Sequence, residues 1–330
     1  MKKVLILFGG PSSEHLISCK SARGVIENID RKKFDVSICG INKNGVWYSF
    51  NDDLNLLENG NWLDSSANII IENIVEYVKS FDVIFPVIHG YLGEDGNLAG
   101  FFETVGVKYV GSGVLGHSVG FDKYYTKLVC AGLEIPQIDY VIIDKNERKY
   151  LNKVDEKLEY PVIVKPSRCG SSIGISVANN KKELGNCLKE AFNYDDKAIV
   201  ERFIKNRREF ECGILFDKKI IASSVGEIVV NSGFYDYEEK YVNKASTVIP
   251  AFADDCLIDR IKTMSKDIFK GISCKGLARV DFIYDEDKQK LYFNEINTIP
   301  GFTEISMYAK LFTYDGTSYK DLITKLINNA

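Results

Sequence analysis

The sequence predicts an α/β (α+β) chain of more than one domain, and three observations carry that prediction. Val4–Phe8 is a short apolar run opening into Gly9-Gly10, the pattern of a buried parallel strand entering a tight turn. Phe34–Ile41 and Phe81–Val87 read as further strands and complete an α/β unit. From Gly276 to Met307 the chain reads GLARVDFIYDEDKQKLYFNEINTIPGFTEISM, two alternating arms about a polar turn at Asp285–Lys290, which is a β-hairpin.

At 330 residues the chain has room for two or three domains, each burying its own core. Apolar content of 45% and charged content of 27% describe an ordinary globular protein. The net charge of −4 supplies no basic field for nucleic acid or an anionic membrane. Eight cysteines are scattered without a Cys-x-x-Cys or zinc spacing, the usage of reduced cytoplasmic thiols. The start, MKKVLILFGG, imitates a secretory signal, but its apolar run stops at Gly9-Gly10 and is too short. No stretch approaches the length of a transmembrane helix.

In chain order, Pro11-Ser12-Ser13-Glu14 supplies cap-type residues ahead of a helix over Ser18–Glu27. Strand, glycine turn and helix together offer a ligand a place at the helix N-terminus, although an ordinary βα turn fits the same residues. The third glycine of a dinucleotide fingerprint is missing. The strand ending at Val87 leads into HGYLGEDGNLAG, where Gly90, Gly93 and Gly96 form a loop before a helix carrying Phe101 and Phe102. His89 thus stands at the carboxyl end of a strand, where open α/β sheets bind ligands, while a structural role is the commoner fate of a lone histidine. His15 and His117 lack that context and read as structural.

Lys123 opens a helix ending near Gly132, and strands follow at Tyr140–Ile143 and Tyr160–Lys165. The second flows into KPSRCGSSIGISV, a Gly/Ser loop between strands. Backbone N–H groups, the Ser171 and Ser172 hydroxyls and Lys165 are what a polyphosphate needs, yet a plain glycine-rich hairpin fits too. No Walker A helix follows. A helix over Lys181–Phe192, a strand over Ala198–Phe203 bearing Glu201, and a strand over Glu209–Phe216 come next. Lys205-Asn206-Arg207-Arg208 between them reads as a solvated connection. Gly226–Pro250 is aromatic and charged with little periodicity, the composition of a lid or binding loop. Tyr319–Ile327 closes the chain as an amphipathic helix.

The hairpin carries the most chemistry. Pairing Asp281 with Glu295 and Arg279 with Asn297 gathers two carboxylates and an amide beside one guanidinium. A slip of one residue would scatter them. Oxygen ligands of this kind suit Mg²⁺, which takes one or two carboxylates plus substrate phosphates. A charged face that simply meets water is the alternative. Asn297 continues into Thr298-Ile299-Pro300-Gly301, a turn that brings backbone N–H groups to the same place.

Six segments in order, FGGPSSEH, HGYLGEDGNLAG, VKPSRCGSSIG, FYDYEEKY, GLARVDF and FNEINTIPGFTEISM, resemble those of the D-alanine–D-alanine ligase family of the ATP-grasp superfamily. The resemblance spans nearly the whole chain. It implies an N-terminal α/β domain over 1–112 holding the first D-alanine, a central subdomain over 113–204, and a C-terminal subdomain over 205–330, with ATP sandwiched between the last two. It implies two Mg²⁺ ions, with Mn²⁺ able to substitute, on Asp281, Glu295 and Asn297. Phosphates would meet Lys123, Lys165, Ser172 and Lys240, and the adenosine part Glu201 and Glu209. Glu14 would orient the first D-alanine's ammonium with His89 nearby, while Arg279 and the Gly301 N–H would bind its carboxyl oxygen and later the oxyanion. Ser306 and Met307 would receive the second D-alanine's carboxylate, and Ser171 and Tyr241 would link to Glu14 to close the lid. A cytoplasmic homodimer serving peptidoglycan synthesis is implied as well.

Several positions depart from the family pattern: Leu16, Tyr91-Leu92, Cys169, Glu304 and Ile305. Relatives that make D-Ala-D-lactate lack the lid ending seen here as Glu239-Lys240-Tyr241, and D-Ser-using relatives often carry arginine in place of Met307. Both features favour D-alanine as second substrate. A non-catalytic ATP-binding relative would show losses at Arg279, Asp281, Glu295 or Asn297, and all four are present.

Overall fold

The computed structural model describes all positions except 52, 148, 230–245 and 304. Its strands form three separate sheets. The first holds β1 (Lys2–Gly9), β2 (Phe34–Ile41), β3 (Trp47–Phe50), β4 (Ile69–Ile70) and β5 (Val83–Pro86) in the order β4-β3-β2-β1-β5. β1 pairs in parallel with both β2 and β5. Parallel strands must be covered on both faces, and here they are. Helix α1 (His15–Asn28) lies on one face, while α3 (Ile74–Lys79) and α4 (Asn97–Val105) lie on the other; the short α2 (Leu54–Glu58) packs beside α1. α1 starts at His15, three residues before its predicted start.

Two helices, α5 (Val114–Phe121) and α6 (Lys123–Gly132), connect to the second sheet. The Asp122 carboxylate caps α6 by accepting from the Tyr124 and Tyr125 N–H groups. That sheet is antiparallel, with β6 (Tyr140–Asp144), β7 (Val162–Pro166), β8 (Ser176–Ala178) and β9 (Lys197–Arg202) ordered β6-β9-β7-β8. One of its faces is covered by α7 (Tyr150–Asp155) and α8 (Lys181–Ala191).

The third sheet holds β10 (Arg207–Asp217), β11 (Lys219–Val229), β12 (Ser246–Val248), β13 (Leu277–Asp285) and β14 (Lys290–Asn297), ordered β12-β11-β10-β13-β14. Helix α9 (Asp255–Gly271) buries Leu257, Ile261, Met264 and Ile268 against it, and α6 contributes Cys130 to the same core. The last helices, α10 (Met307–Tyr314) and α11 (Tyr319–Asn328), pack between this sheet and the first, where Phe302 and Tyr308 share a core with Phe85 and Leu322.

Two sequence-based expectations require correction. Lys205–Arg208 is not a solvated connection: Arg207 and Arg208 open β10, and their guanidiniums pair with Glu209 and Glu227. Nor is Gly226–Pro250 one long loop, because β11 runs through Gly226 to Val229 and β12 resumes at Ser246. Among the described residues no helix is long and apolar enough to cross a membrane.

Candidate active site

The β13–β14 hairpin adopts the expected register, with Arg279 opposite Asn297 and Asp281 opposite Glu295. Beyond that the ladder shifts, so that Phe282 faces Phe293 and Asn294 is the extra residue of a β-bulge. The bulge explains why Phe293 and Ile296 do not alternate: both are buried in the core below the sheet. It also brings the Asn294 amide oxygen to 3.1 Å from Lys165 Nζ on the second sheet.

Around this hairpin the charges interlock. Arg279 donates from Nε to Asp281 Oδ1 (2.7 Å) and from Nη2 to Oδ2 (2.6 Å), and its Nε also lies 3.0 Å from Glu211 Oε2 on β10. The Asn297 amide donates to Asp281 Oδ2 at 3.0 Å. Lys123 Nζ is 3.7 Å from Glu295 and donates to the Cys169 carbonyl at 2.6 Å. Lys165 and Lys127 hold the two oxygens of buried Glu201 at 2.7 and 2.6 Å. Burial alone would push that carboxyl up, but the two ammoniums outweigh it and bring its pKa down to about 2.

Two clefts meet here. A narrow one of about 90 Å³ runs between the second and third sheets and is lined by Lys165, Ser172, Glu201, Glu209, Asp281 and Glu295. A larger one of about 680 Å³ opens towards the first sheet and is lined by Glu14, His89, Arg279, Asn297, Gly301 and Met307. Lys123, Ser171, Glu211 and Glu295 line both. The predicted phosphate, adenosine and carboxylate positions thus gather mainly in one cleft and the predicted amino-acid positions in the other. Lys240 and Tyr241 lie outside the described residues.

The Gly/Ser loop reaches the second cleft through Ser171, whose hydroxyl donates to Glu14 Oε1. Ser171 and Ser172 both adopt positive φ, at +50° and +58°. Gly90 and Gly170 flank the same carboxylate so closely that a Cβ at either would come within 2.6 Å of Glu14 Oε2. His89 is engaged through both ring nitrogens: Nδ1 donates to the Ile299 carbonyl at 2.9 Å, and Nε2 lies 2.8 Å from the Ser21 hydroxyl. It fixes the 299–301 turn. His15 bonds Gly10 and Trp62, and His117 bonds Thr298, the structural roles expected of them.

Ser306 begins α10 at the mouth of the larger cleft, and no side chain caps that helix end. Met307 is buried with Ile228 and Leu311 and lies against Gly226. Leu16 and Ile305, two of the unusual positions, are exposed on the same cleft.

Four polar residues around the site escaped sequence reasoning. Glu211 follows Glu209 by two residues, so strand periodicity places both on one face. Lys127 follows Lys123 by one helical turn. Asn294 is signalled by the broken alternation. Glu94 has no such signal: buried, it accepts from the Gly90, Thr298 and Ile299 N–H groups at 3.0 to 3.1 Å and ties two loops together.

The donor set suits a hard cation, with carboxylates on adjacent strands and an amide beside them. Among the described residues no group of three or more His, Cys, Asp or Glu converges into a closed cage.

Two facing antiparallel sheets, a Gly/Ser loop over the cleft between them and a carboxylate hairpin beneath are the parts of an ATP-grasp fold. Comparison with known proteins gives the same result. Models of the D-ala D-ala ligase N-terminus and C-terminus match residues 3–112 and 129–328. A D-alanine–D-alanine ligase of Clostridium acetobutylicum is 44% identical over 100% of this chain and 98% of its own, and one of Acetivibrio thermocellus is 42% identical over 100% and 96%. Among solved structures, the VanG D-Ala:D-Ser ligase of Enterococcus faecalis superposes with a TM-score of 0.87 at 36% identity, covering 99% of this chain and 98% of that one. The D-alanine–D-alanine ligase of Coxiella burnetii gives 0.85 at 29% identity, covering 100% and 95%. The chain belongs to the D-alanine–D-alanine ligase family.

Proposed function

We propose that this protein joins two D-alanines to D-alanyl-D-alanine with conversion of ATP to ADP and phosphate, for peptidoglycan precursor synthesis in the cytoplasm. The observation that carries the reading is the shared wall of the two clefts. Lys123, Ser171 and Glu295 face both, so a phosphate in one and a carboxylate in the other can meet.

In the first step the carboxylate of one D-alanine attacks the γ-phosphorus of ATP, and the β–γ bridging bond breaks to release ADP. Glu14 receives the substrate ammonium, held in place by Ser171, with His89 fixing the adjacent turn. Lys123, Lys165 and Ser172 bind phosphate oxygens, joined by Lys240, while Glu201 and Glu209 border the adenosine. Asp281, Glu295 and Asn297 would hold two Mg²⁺, or Mn²⁺ in its place, and the cations would offset the charge of the transferring phosphoryl group. In the second step the amine of another D-alanine, its carboxylate received at Ser306 and Met307, attacks the acyl carbon. Arg279 and the Gly301 N–H stabilise the oxyanion, and its collapse breaks the acyl C–O bond to expel phosphate, which carries off the proton lost by the amine. Closure of the lid, with Tyr241 joining Ser171 and Glu14, would keep water from the acyl phosphate.

Division of the chain at 112/113 and 204/205 is supported by each sheet falling within one segment, although α6 shares the core of the third. A homodimer is the assembly proposed. The likeness to the VanG D-Ala:D-Ser ligase supports a second reading in which the acceptor is D-serine. Purified protein with Mg²⁺ and ATP should release ADP with D-alanine alone, and mass spectrometry should find D-Ala-D-Ala even when D-serine competes. A mixed dipeptide as main product would move the assignment to the second reading. No turnover with any D-amino acid would overturn both.

A further inference from the structure

We infer that Asp122 is a positioning residue that ties the Gly/Ser loop to Lys123, so that both meet the phosphates of a nucleotide as one unit. The inference rests on the reading of the narrow cleft as the nucleotide site. The loop spans 167–175 between β7 and β8, and Ser171 and Ser172 in it hold positive φ. Residues other than glycine keep such a backbone only where their surroundings impose it. The loop therefore needs an anchor at its root.

Asp122 supplies it. Its Oδ1 caps α6 by accepting from the Tyr124 and Tyr125 N–H groups, at 3.0 and 3.4 Å, and accepts from Ser167 Oγ at 2.6 Å. Asp122 and Ser167 are both buried. Bonds also run the other way. The Lys123 N–H donates to the Ser167 carbonyl at 3.0 Å, and Lys123 Nζ donates to the Cys169 carbonyl at 2.6 Å. Arg168 lies between those two residues and is exposed, and its Nη2 donates to buried Asp195 at 2.7 Å. The first turn of α6 and the root of the loop are thus joined, and one carboxylate oxygen serves both. Asp122 itself lines neither cleft, so it would act on phosphate through Lys123 and the loop.

The test pairs calorimetric binding of Mg²⁺-ADP with the rate at which a thiol reagent labels Cys169. In a Cys256→Ser background Cys169 is the most accessible thiol, because the other cysteines are buried. Ser167→Ala breaks the tie and leaves Asp122 capping α6. It should weaken ADP binding about 10-fold, the scale of one hydrogen bond to a charged group, and speed labelling by a similar factor. Asp122→Asn keeps an accepting oxygen and should stay within about twofold in both measurements. Adding Ser167→Ala to Asp122→Ala should change little, because the tie is already gone. A contact that serves stability alone would lower the denaturant midpoint of Ser167→Ala and leave its ADP affinity and labelling unchanged, which would overturn the inference. So would additive losses in the double variant. Weakening by Asp122→Asn as large as by Ser167→Ala would assign the effect to the charge facing Arg168 and overturn it too. If Asp122→Ala does not fold, Ser167→Ala and Asp122→Asn decide. Failure of the unsubstituted protein to bind Mg²⁺-ADP would instead overturn the nucleotide reading, and the labelling rates would still test the anchor.

Discussion

Thr298 is the meeting point of two buried titratable side chains. Its N–H and hydroxyl donate to Glu94 Oε2, at 3.1 and 3.4 Å, and its hydroxyl lies 2.7 Å from His117 Nδ1. Burial, with the nearby Glu14 charge, raises the Glu94 carboxyl to about 7 against the opposition of its backbone donors. Burial also lowers His117 to about 4. The two act oppositely on stability. Glu94 has a raised folded value, so its contribution is present below about 4.5 and is lost as pH rises through 7. His117 has a lowered folded value, so its contribution is present above about 6.5 and is lost as pH falls through 4. Each is worth on the order of 3 kcal/mol, and they offset one another across one window. Denaturant unfolding of Glu94→Gln should therefore show stability falling on acidification from pH 7 to 5, and His117→Asn should show it rising. Parallel slopes in the two variants would refute this account. Met307 gives a second residue-scale prediction: Met307→Arg should shift preference from D-alanine towards D-serine as acceptor, read from product ratios in competition. Unchanged discrimination would remove Met307 from the acceptor pocket.

At the scale of elements, legibility followed how much of a segment's constraint was local. The hairpin register could be read because a one-residue slip scatters Arg279, Asp281, Glu295 and Asn297, and because the bulge at Asn294 leaves a visible break in alternation. Helix α9 went unread, although Asp254 followed by Leu257, Ile261, Met264 and Ile268 is a capped apolar stripe. β11 was harder, since KIIASSVGEIV gains its strand character from β10 beside it and from Met307 and Leu311 packed on Gly226. Contacts of high sequence separation were not readable at all. Gly24 in α1 is one case: a Cβ there would collide with the Phe302 carbonyl, because the helix lies directly on the turn that follows Gly301. Gly24→Ala should destabilise the fold by about 1–3 kcal/mol, the usual cost of forcing volume into a packed contact. It should also raise KM for D-alanine more than KM for ATP, because the displaced turn borders only the larger cleft. Equal effects on both KM values would place the strain elsewhere.

Across the whole molecule, the cleft between the second and third sheets is closed by the protein's own polar contacts. At about 90 Å³ it falls well below the roughly 300–1,000 Å³ of ordinary ligand pockets, so the proposed nucleotide would have to part the sheets to enter. Among the described residues three side-chain hydrogen bonds join the sheets and their connections across the gap, Lys165 Nζ to Asn294 Oδ1 at 3.1 Å, Arg202 Nη2 to Asp285 Oδ2 at 3.0 Å and Asn206 Nδ2 to Asp287 Oδ1 at 2.8 Å, beside backbone bonds from Glu286 to Asn206 and from Phe293 to Pro136. Lys165, as a proposed phosphate ligand, would change partners on binding, and Asn206 is exposed, so its side chain contributes little. Arg202 with buried Asp285 is then the contact that resists opening. Breaking it should speed the passage of nucleotide in both directions, with the larger effect on departure, since loss of a buried charge partner acts mainly on dissociation. A fluorescent ADP followed by stopped flow should leave Arg202→Met about 10-fold faster than the unsubstituted protein, while Asn206→Ala stays within twofold. An unchanged departure rate in Arg202→Met would mean that the sheets part without breaking this pair, and that the barrier to opening lies in the Gly/Ser loop and its Ser171–Glu14 bond instead.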